Sequence, residues 1–256
     1  MKNLSKTEIA VMTGKTIFQN RIKSADRAAM GKSELLIKKS TNVKLGKRVT
    51  KGKWKGFPIF TLTLEERATC PRSCAHWADC YGNNMMYAYR YQAGPELEAM
   101  LETELAELQR KHPNGFLVRL HILGDFYSVG YVAKWAKWLG MFPALHVYGY
   151  TANQPDAADA TERAIGQALL SLSDNCGTRW AVRFSGNFNR ATMTANSADD
   201  SRAMAAVTAK QAFICPTQIS KATGKYAAKG EETLVPDCGA CGLCWTASKP
   251  VVFITH

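Results

Sequence analysis

The sequence has no run of the roughly 18 apolar residues that a membrane-spanning helix needs. Its first residues, MKNLSKTEIAVMTGK, also lack an apolar stretch followed by a small-residue cleavage site. We therefore expect neither membrane insertion nor secretion, and we predict a cytoplasmic protein. In a chain without a secretion signal, the eight cysteines are more typical of metal ligands or reactive thiols than of disulfides.

Acidic residues are scarce in the first 55 positions. This segment holds 15 of the 33 Lys and Arg residues but only three of the 21 Asp and Glu residues, and the rest of the chain holds 18 of each. The net charge of +12 therefore belongs to residues 1–55. Such a block is typical of a protein that binds a polyanion, or of a solvated basic tail. We favour nucleic acid over a membrane surface, because the segment lacks an aromatic-rich apolar face.

The length of 256 residues and the apolar fraction of 46% suit one sizeable core. We predict a basic nucleic-acid-binding arm over residues 1–55 and a catalytic domain over residues 56–256, whose last part, residues 215–256, forms a metal site. The arm begins with a helix within residues 5–30 and continues as KLGKRVTKGKWKGFP, which is typical of an extended segment that follows phosphates. Its candidate contacts are Lys47, Arg48, Lys51, Lys53, Trp54 and Lys55. Trp54 has two interpretations, stacking on a base or packing on the domain.

Short apolar runs alternate with helical patterns after residue 57. Strands are predicted at 59–64, 116–123, 146–151, 180–185, 212–215 and 251–255, and helices at 95–111, 129–140 and 155–172. This alternation is typical of an α/β fold with a parallel sheet. Because six strands are too few for an eight-fold barrel, we predict a partial or short (β/α) barrel with parallel strands, preceded by the basic arm and ending in the cysteine-rich metal site.

The working residues of such folds lie where strands end. Asp125, in HILGDFYS, follows an apolar strand, and there its carboxylate can serve as nucleophile or general base. Its alternative role is to cap the helix that begins near Val129. Tyr127 is the second candidate catalytic residue, and it aligns the substrate. The candidate substrate-binding residues are Gly124, Phe126, Thr151, Asn153, Ser185 and Asn187, although Asn and Ser are common in turns of any protein.

Two groups of cysteines can hold metals. Cys238, Cys241 and Cys244 form the compact motif CGACGLC, which with His256 or Cys215 as fourth ligand makes a structural zinc site; four thiolates also suit an iron-sulfur cluster. Cys70, Cys74 and Cys80 form a wider motif, CPRSCAHWADC, directly after the first predicted strand. A metal cluster, a redox pair and buried structural thiols remain open for this second group.

Two resemblances follow from these motifs. The segments CPTQISKATGK and DCGACGLCW resemble the C-terminal part of the tRNA-guanine transglycosylases, and residues 56–256 resemble phage DNA deazaguanine transglycosylases. The resemblance implies a zinc site of Cys238, Cys241, Cys244 and His256, and an aspartate that displaces guanine in favour of a deazaguanine base. The family's own nucleophile position is Ala212 here, so the resemblance requires a different carboxylate, for which Asp125 is the candidate.

The chain is also similar to radical SAM enzymes, which share a partial barrel, a cysteine cluster after strand one and a glycine–acid motif after strand two. LGDFYS occupies the place of that motif. The family's usual CxxxCxxC is CxxxCxxxxxC here, so the third cysteine lies three residues further along the chain.

These observations lead to three hypotheses. The first is a phage-type DNA base-modifying transglycosylase, which exchanges guanine for a deazaguanine base in the host cytoplasm, uses Asp125 and zinc, and prefers DNA over RNA. The second is an iron-sulfur, radical SAM-like enzyme that modifies nucleic acid. The third is a non-catalytic nucleic-acid-binding protein with a structural zinc. None of the three involves a membrane.

Overall fold

A computed structural model describes residues 4–25, 34–37, 45–186, 192–195, 201–216 and 237–254 of the chain. In chain order, its helices and strands are α1 (Lys6–Thr13), β1 (Ile22–Lys23), β2 (Ile59–Thr61), β3 (Arg90–Tyr91), α2 (Pro95–Lys111), β4 (Phe116–Leu120), α3 (Val129–Met141), β5 (Leu145–Thr151), α4 (Ala160–Asn175), β6 (Trp180–Phe184), β7 (Thr192–Ala195), α5 (Ser201–Thr208), β8 (Phe213–Ile214), α6 (Cys238–Cys241), α7 (Leu243–Thr246) and β9 (Val251–Ile254).

The centre of the fold is a four-stranded parallel sheet in the order β2-β4-β5-β6, with α2, α3 and α4 as the connections between β2, β4, β5 and β6. Alternate side chains of each strand point to opposite faces. One face, which includes Phe60, Val118 and Val147, packs with the three helices into the main core. The predicted α/β class with parallel strands is therefore confirmed.

Closure of the sheet into a barrel is not seen in the described part of the chain. Strands β7, β9 and β8 form a separate parallel sheet, and β1 pairs with β3 in a third. None of the described helices is long and apolar enough to cross a membrane.

Local sequence explains where the helices begin and end. The helix predicted within residues 5–30 is much shorter, because Gly14 adopts a left-handed conformation (φ +69°) and its N–H donates to the carbonyl of Ala10, which ends α1. Helix α4 begins five residues later than predicted, because the Asp159 side chain accepts a hydrogen bond from the N–H of Glu162 and so caps the helix there. Helix α2 has the predicted bounds, with Pro95 in its first turn.

The second face of the sheet is covered by two segments. Residues 47–58 fold back on themselves as a hairpin, in which the N–H of Val49 donates to the carbonyl of Phe57 and the N–H of Ile59 to that of Lys47. The motif CGACGLC lies beside it, since the N–H of Thr50 donates to the carbonyl of Gly239. Described parts of the predicted arm therefore pack against the sheet, and the boundary after residue 55 stays a prediction.

Candidate active site

Asp125 lies at the carboxyl end of the central sheet and is only 4% exposed. Its Oδ1 accepts a hydrogen bond of 2.7 Å from the N–H of Phe126, and its Oδ2 accepts one of 2.7 Å from the N–H of Ala152. Burial raises the pKa of this carboxyl to about 6, and the hydrogen bonds from Ala152 and Phe126 offset part of the shift. Asp125 therefore connects the chain after β4 to the chain after β5, and the predicted capping role belongs to Ser128, whose hydroxyl accepts from the N–H of Tyr131.

Thr151 and Asn153 lie beside Asp125 and are each 1% exposed. Both side chains lower the pKa of Asp125 by hydrogen bonding, although burial dominates. The Asn153 amide also donates to the carbonyl of Phe126 at 3.1 Å and to the Thr151 hydroxyl at 3.2 Å. The structure therefore brings these three predicted residues together in one buried hydrogen-bonded cluster.

Gly124 and Ser185 surround the same cluster through their backbone. Gly124 has φ +81°, and a Cβ on it would lie 2.5 Å from the Thr69 hydroxyl and 2.7 Å from the Cβ of Leu64, so only glycine fits. The N–H of Ser185 donates to the carbonyl of Thr151 at 2.7 Å. Asn187 lies outside the described residues.

Phe126 and Tyr127 make their side-chain contacts with residues other than Asp125. Phe126 is 1% exposed and packs on His121 and Trp180, so it belongs to the core. The Tyr127 hydroxyl donates to Glu98 Oε1 at 2.9 Å, and its ring stacks on Tyr131. Burial and the Glu98 carboxylate raise the pKa of Tyr127. The geometry gives these two residues packing roles, which a strand-end pattern alone did not reveal.

Cys70, Cys74 and Cys80, which we call the edge cysteines, form one group, in which Cys70 and Cys74 lie close enough to Asp125 for its charge to affect them. Burial raises the pKa of Cys70 well above its usual value, with further contributions from the charges of Asp125, Cys74 and Cys80. Burial likewise raises the pKa of Cys74 to about 11, and Asp125 and Cys80 again contribute. The third cysteine therefore lies close enough to affect the other two, despite its greater distance along the chain.

An ion pair that sequence reasoning missed holds the loop that contains Cys80. The Arg90 guanidinium, which is fully buried, binds the Glu66 carboxylate at 2.8 Å. The same guanidinium donates to the carbonyls of Gly82, Met85 and Ala88. The one available signal was the TLEER motif before Cys70, in which charged residues follow an apolar strand.

The second group, Cys215, Cys238, Cys241 and Cys244, which we call the face cysteines, lies against the second face of the sheet. Burial raises the pKa of Cys238 to about 12, and Cys244, Cys215 and Cys241 contribute through their charges. Cys215 also raises the pKa values of Cys241 and Cys244. The structure therefore places Cys215 beside the CGACGLC motif, whereas the alternative fourth ligand, His256, lies outside the described residues.

Polar side chains of the sheet surround the face cysteines. The Tyr150 hydroxyl donates to the Cys244 sulfur at 2.7 Å. Arg183 donates to the carbonyls of Cys244 at 2.7 Å and Lys249 at 3.1 Å, and it also contacts that of Ala247. Burial, together with the neighbouring Cys238, raises the pKa of the fully buried Tyr148 well above its usual value.

Neither group of cysteines forms a metal-binding site as it stands. Within the ranges that the structure describes, no three His, Cys, Asp or Glu side chains are arranged to hold a metal ion. Both groups nevertheless consist of several half-buried thiols in electrostatic contact, and thiolates are the ligands that iron-sulfur clusters and structural zinc require.

The predicted nucleic-acid contacts lie on the hairpin of residues 47–58. The five cationic residues are exposed: Lys47, Arg48, Lys51, Lys53 and Lys55. Trp54 is 4% exposed, stacks on Trp245 with ring centroids 5.8 Å apart, and contacts His146 edge-on. Of its two interpretations, packing on the domain fits the structure, because a buried ring is unavailable to a base.

Residues 35–247 match the protein family described as Gene product 88. No curated protein and no solved structure matches the chain.

Proposed function

The chain belongs to the Gene product 88 family, and we propose that it is an iron-sulfur enzyme of the radical SAM kind that modifies nucleic acid. The edge cysteines hold the reactive cluster. Asp125, Thr151 and Asn153 form the adjoining wall of the site. In this proposal the central sheet is a partial (β/α) barrel, and the protein acts in the cytoplasm.

The observation that carries the proposal is the meeting of two separate chain segments at one edge of the sheet. The edge cysteines follow the first strand of the central sheet, and Asp125 follows the second; the charge of Asp125 acts on both Cys70 and Cys74. Radical SAM enzymes, which the sequence resembles, have a cysteine cluster and a glycine–acid motif in these two places.

The ligand type at this edge suits an iron-sulfur cluster, although the described side chains are not arranged to hold a metal ion. Cys80 raises the pKa of both Cys70 and Cys74, and such thiols gain from a cation, because a bound metal deprotonates its thiols and offsets the repulsion between them. When bound, a cluster of this kind supplies the electron that cleaves S-adenosylmethionine. Asp125 keeps its position through its two backbone hydrogen bonds, and its neighbours exclude water.

Geometry makes the transglycosylase hypothesis the weaker candidate. A displacement nucleophile needs a carboxylate oxygen that is free to reach the sugar, and both Asp125 oxygens accept hydrogen bonds of 2.7 Å inside the protein. Nor does Tyr127 reach the same site, since its hydroxyl binds Glu98.

The face cysteines hold a second metal, as zinc or as an iron-sulfur cluster, with Cys215 as the fourth ligand in place of His256. The exposed cations of the hairpin bind the nucleic-acid backbone.

Metal analysis tests the proposal. Protein purified anaerobically is expected to be brown and to contain several irons and acid-labile sulfides per chain. Cys70→Ala or Cys74→Ala removes the iron bound at the edge. Cys176→Ala is the matched control, because Cys176 is also half-buried but caps the end of α4, outside both groups of cysteines; its iron content should equal that of the wild type.

Colourless protein with zinc alone contradicts the iron-sulfur proposal. The transglycosylase hypothesis then makes its own prediction, that the protein exchanges labelled guanine in DNA for a deazaguanine and that Asp125→Ala abolishes the exchange. If the wild type shows no exchange, that reaction is wrong as well.

A further inference from the structure

Two exposed tyrosines and two cations lie together on the surface formed by β1 and the chain before β3. We propose that this surface, formed by Arg21, Lys23, Tyr87 and Tyr89 and called here the tyrosine surface, binds the unpaired bases of a single-stranded nucleic acid. The inference deepens the proposed function and rests on it for the class of partner. The tyrosine surface would be a second binding region, beside the cations of the hairpin, and it would distinguish single strands from duplexes.

The geometry of the tyrosine surface matches stacking on bases. Tyr87 is 79% exposed and Tyr89 is 43% exposed. The Arg21 guanidinium carbon lies 5.9 Å from the ring centroid of Tyr87 and 5.8 Å from that of Tyr89, and the Lys23 ammonium lies 5.1 Å from the Tyr89 centroid. Aromatic faces beside cations are the usual combination for single strands, because rings stack on bases while cations meet phosphates.

The charges of the two cations are available to a ligand. Among the described residues, no carboxylate forms an ion pair with Arg21 or Lys23. Both residues belong to the basic first 55 residues, where acids are scarce. A polyanion therefore complements the tyrosine surface, whereas an acidic peptide would leave the exposed rings without a partner of matching shape.

Buried contacts hold the tyrosines in place. Arg90 binds the backbone carbonyls of Met85 and Ala88, which flank Tyr87, and pairs with Glu66. Strand β1 pairs with β3 in parallel, and Gln92 continues the pairing by donating its N–H to the carbonyl of Lys23. Because the backbone is fixed before binding, stacking on these rings costs little conformational entropy.

The position of the tyrosine surface relates it to the edge cysteines. Tyr87 and Tyr89 lie on the loop that continues from Cys80, and Arg90 ends that loop. A base must leave a duplex stack before an enzyme can modify it. A surface that holds unpaired bases on this loop therefore suits a nucleic-acid-modifying site.

Fluorescence anisotropy on the full chain tests the inference, with labelled 20-nucleotide single strands of DNA and RNA and the matching DNA duplex as probes. The wild type is expected to bind a single strand more tightly than the duplex. The double variant Tyr87→Ala/Tyr89→Ala should weaken single-strand binding by about tenfold or more, since each stacked base contributes substantially to affinity. Tyr87→Phe keeps the ring and should change affinity less than about twofold. Arg21→Gln should reduce the salt dependence of binding by about one released counterion.

Phe213→Ala is the matched control. Phe213 is 39% exposed and has the Lys249 ammonium 5.6 Å from its ring centroid, but it lies on β8 in a different sheet. Equal loss of binding in this control and in the double variant overturns the inference, as does unchanged binding by the double variant or equal affinity of the wild type for duplex and single strand.

Iron content, measured on every variant, keeps the two proposals distinguishable. If the wild type contains no iron and the double variant Tyr87→Ala/Tyr89→Ala loses binding, the tyrosine surface is supported and the iron-sulfur proposal is contradicted. If the wild type contains iron and the double variant binds as tightly as the wild type, the iron-sulfur proposal is supported and the tyrosine surface is contradicted.

Discussion

The edge cysteines and the face cysteines are each held by one buried arginine, but the two arginines differ in their charge partners. Arg90 binds three carbonyls of the edge loop and the Glu66 carboxylate, and it is fully buried. Arg183 binds carbonyls of the segment around Cys244, is 7% exposed, and has no ion-pair partner among the described carboxylates.

This difference affects the thiols that each arginine holds in place. The positive charges of Arg183 and Arg119 favour the thiolate of Cys244, whereas the negative charge of Asp125 disfavours those of Cys70 and Cys74. Burial raises the pKa in both groups. A neighbouring cation offsets part of this shift at Cys238, Cys241 and Cys244. Among the edge cysteines only Cys80 has such an offset, from Arg67 and Arg90, so Cys70 and Cys74 depend most on whatever binds them.

The largest effect on this comparison is expected from Arg90→Met, because removal of one partner leaves Glu66 buried and unpaired. The free energy of unfolding should fall by about 3–5 kcal/mol. Chemical denaturation measures the change. Lys137→Met is the control, since its ion pair with Glu102 is exposed and should contribute less than about 1 kcal/mol. Equal effects of the two substitutions would contradict the structural role of Arg90.

Asp125→Asn tests the pH dependence of the edge region. The folded pKa of about 6 lies above the ordinary value of 3.8, so the folded state holds the extra proton between these pH values. Stability from this group is fully present below pH 3.8 and is lost as the pH rises through about 6, a change of about 3 kcal/mol. The free energy of unfolding of the wild type relative to the variant, measured on metal-free protein, should therefore fall by about 3 kcal/mol between pH 4 and 7. The comparison with the variant is needed because buried His121, whose pKa is lowered to about 3, gives both proteins a pH dependence of the opposite sign. A difference that does not change with pH would contradict the raised pKa of Asp125. A slope that persists in the variant belongs to another group.

Arg183→Met is expected to weaken the packing of the face cysteines. The substitution removes hydrogen bonds from a charged donor to buried carbonyls, which should lower the free energy of unfolding by about 2 kcal/mol. Because no described carboxylate is left unpaired, the effect should be smaller than that of Arg90→Met. The same denaturation experiment compares them, and a larger loss for Arg183→Met would reverse the comparison.

Tyr150→Phe should have the smallest effect. It removes the hydroxyl that donates to the Cys244 sulfur, at a cost of about 1 kcal/mol. Because this hydrogen bond lowers the pKa of Cys244, its loss should raise that pKa and slow the alkylation of Cys244 in metal-free protein. Mass spectrometry of alkylated peptides measures the rate, and Cys74, which lies in the other group, is the internal control. Faster alkylation would contradict the assigned hydrogen bond.

Strong local patterns made much of the fold predictable. Apolar strands 116–120 and 180–184 and the helix of residues 95–111 have the predicted type and nearly the predicted bounds, because hydrophobic period and terminal residues agree there. Strands β1, β3 and β7 were missed, and the first two are too short, at two residues each, to show a period. Their existence depends on tertiary pairing between distant segments.

The site was predictable in its location and less so in its contacts. The rule that strand ends meet at one edge brought Asp125, Thr151 and Asn153 together correctly. It did not show that both Asp125 oxygens are occupied by backbone amides or that Tyr127 turns toward Glu98. The direction in which a loop side chain points depends on close packing, such as that around Gly124. The spacing of residues in the sequence does not reveal that packing.

The buried Trp54 makes the basic segment part of the folded domain. Its ring forms part of an apolar cluster with Val49, Ile59 and Tyr148, while the lysines on either side of it face solvent. Truncation of residues 1–55 would thus remove part of an apolar cluster together with the charge, and a loss of binding by the truncated protein would have two causes. Replacement of Lys51, Lys53 and Lys55 by glutamine leaves Trp54 in place, and so separates affinity for a polyanion from the integrity of the fold.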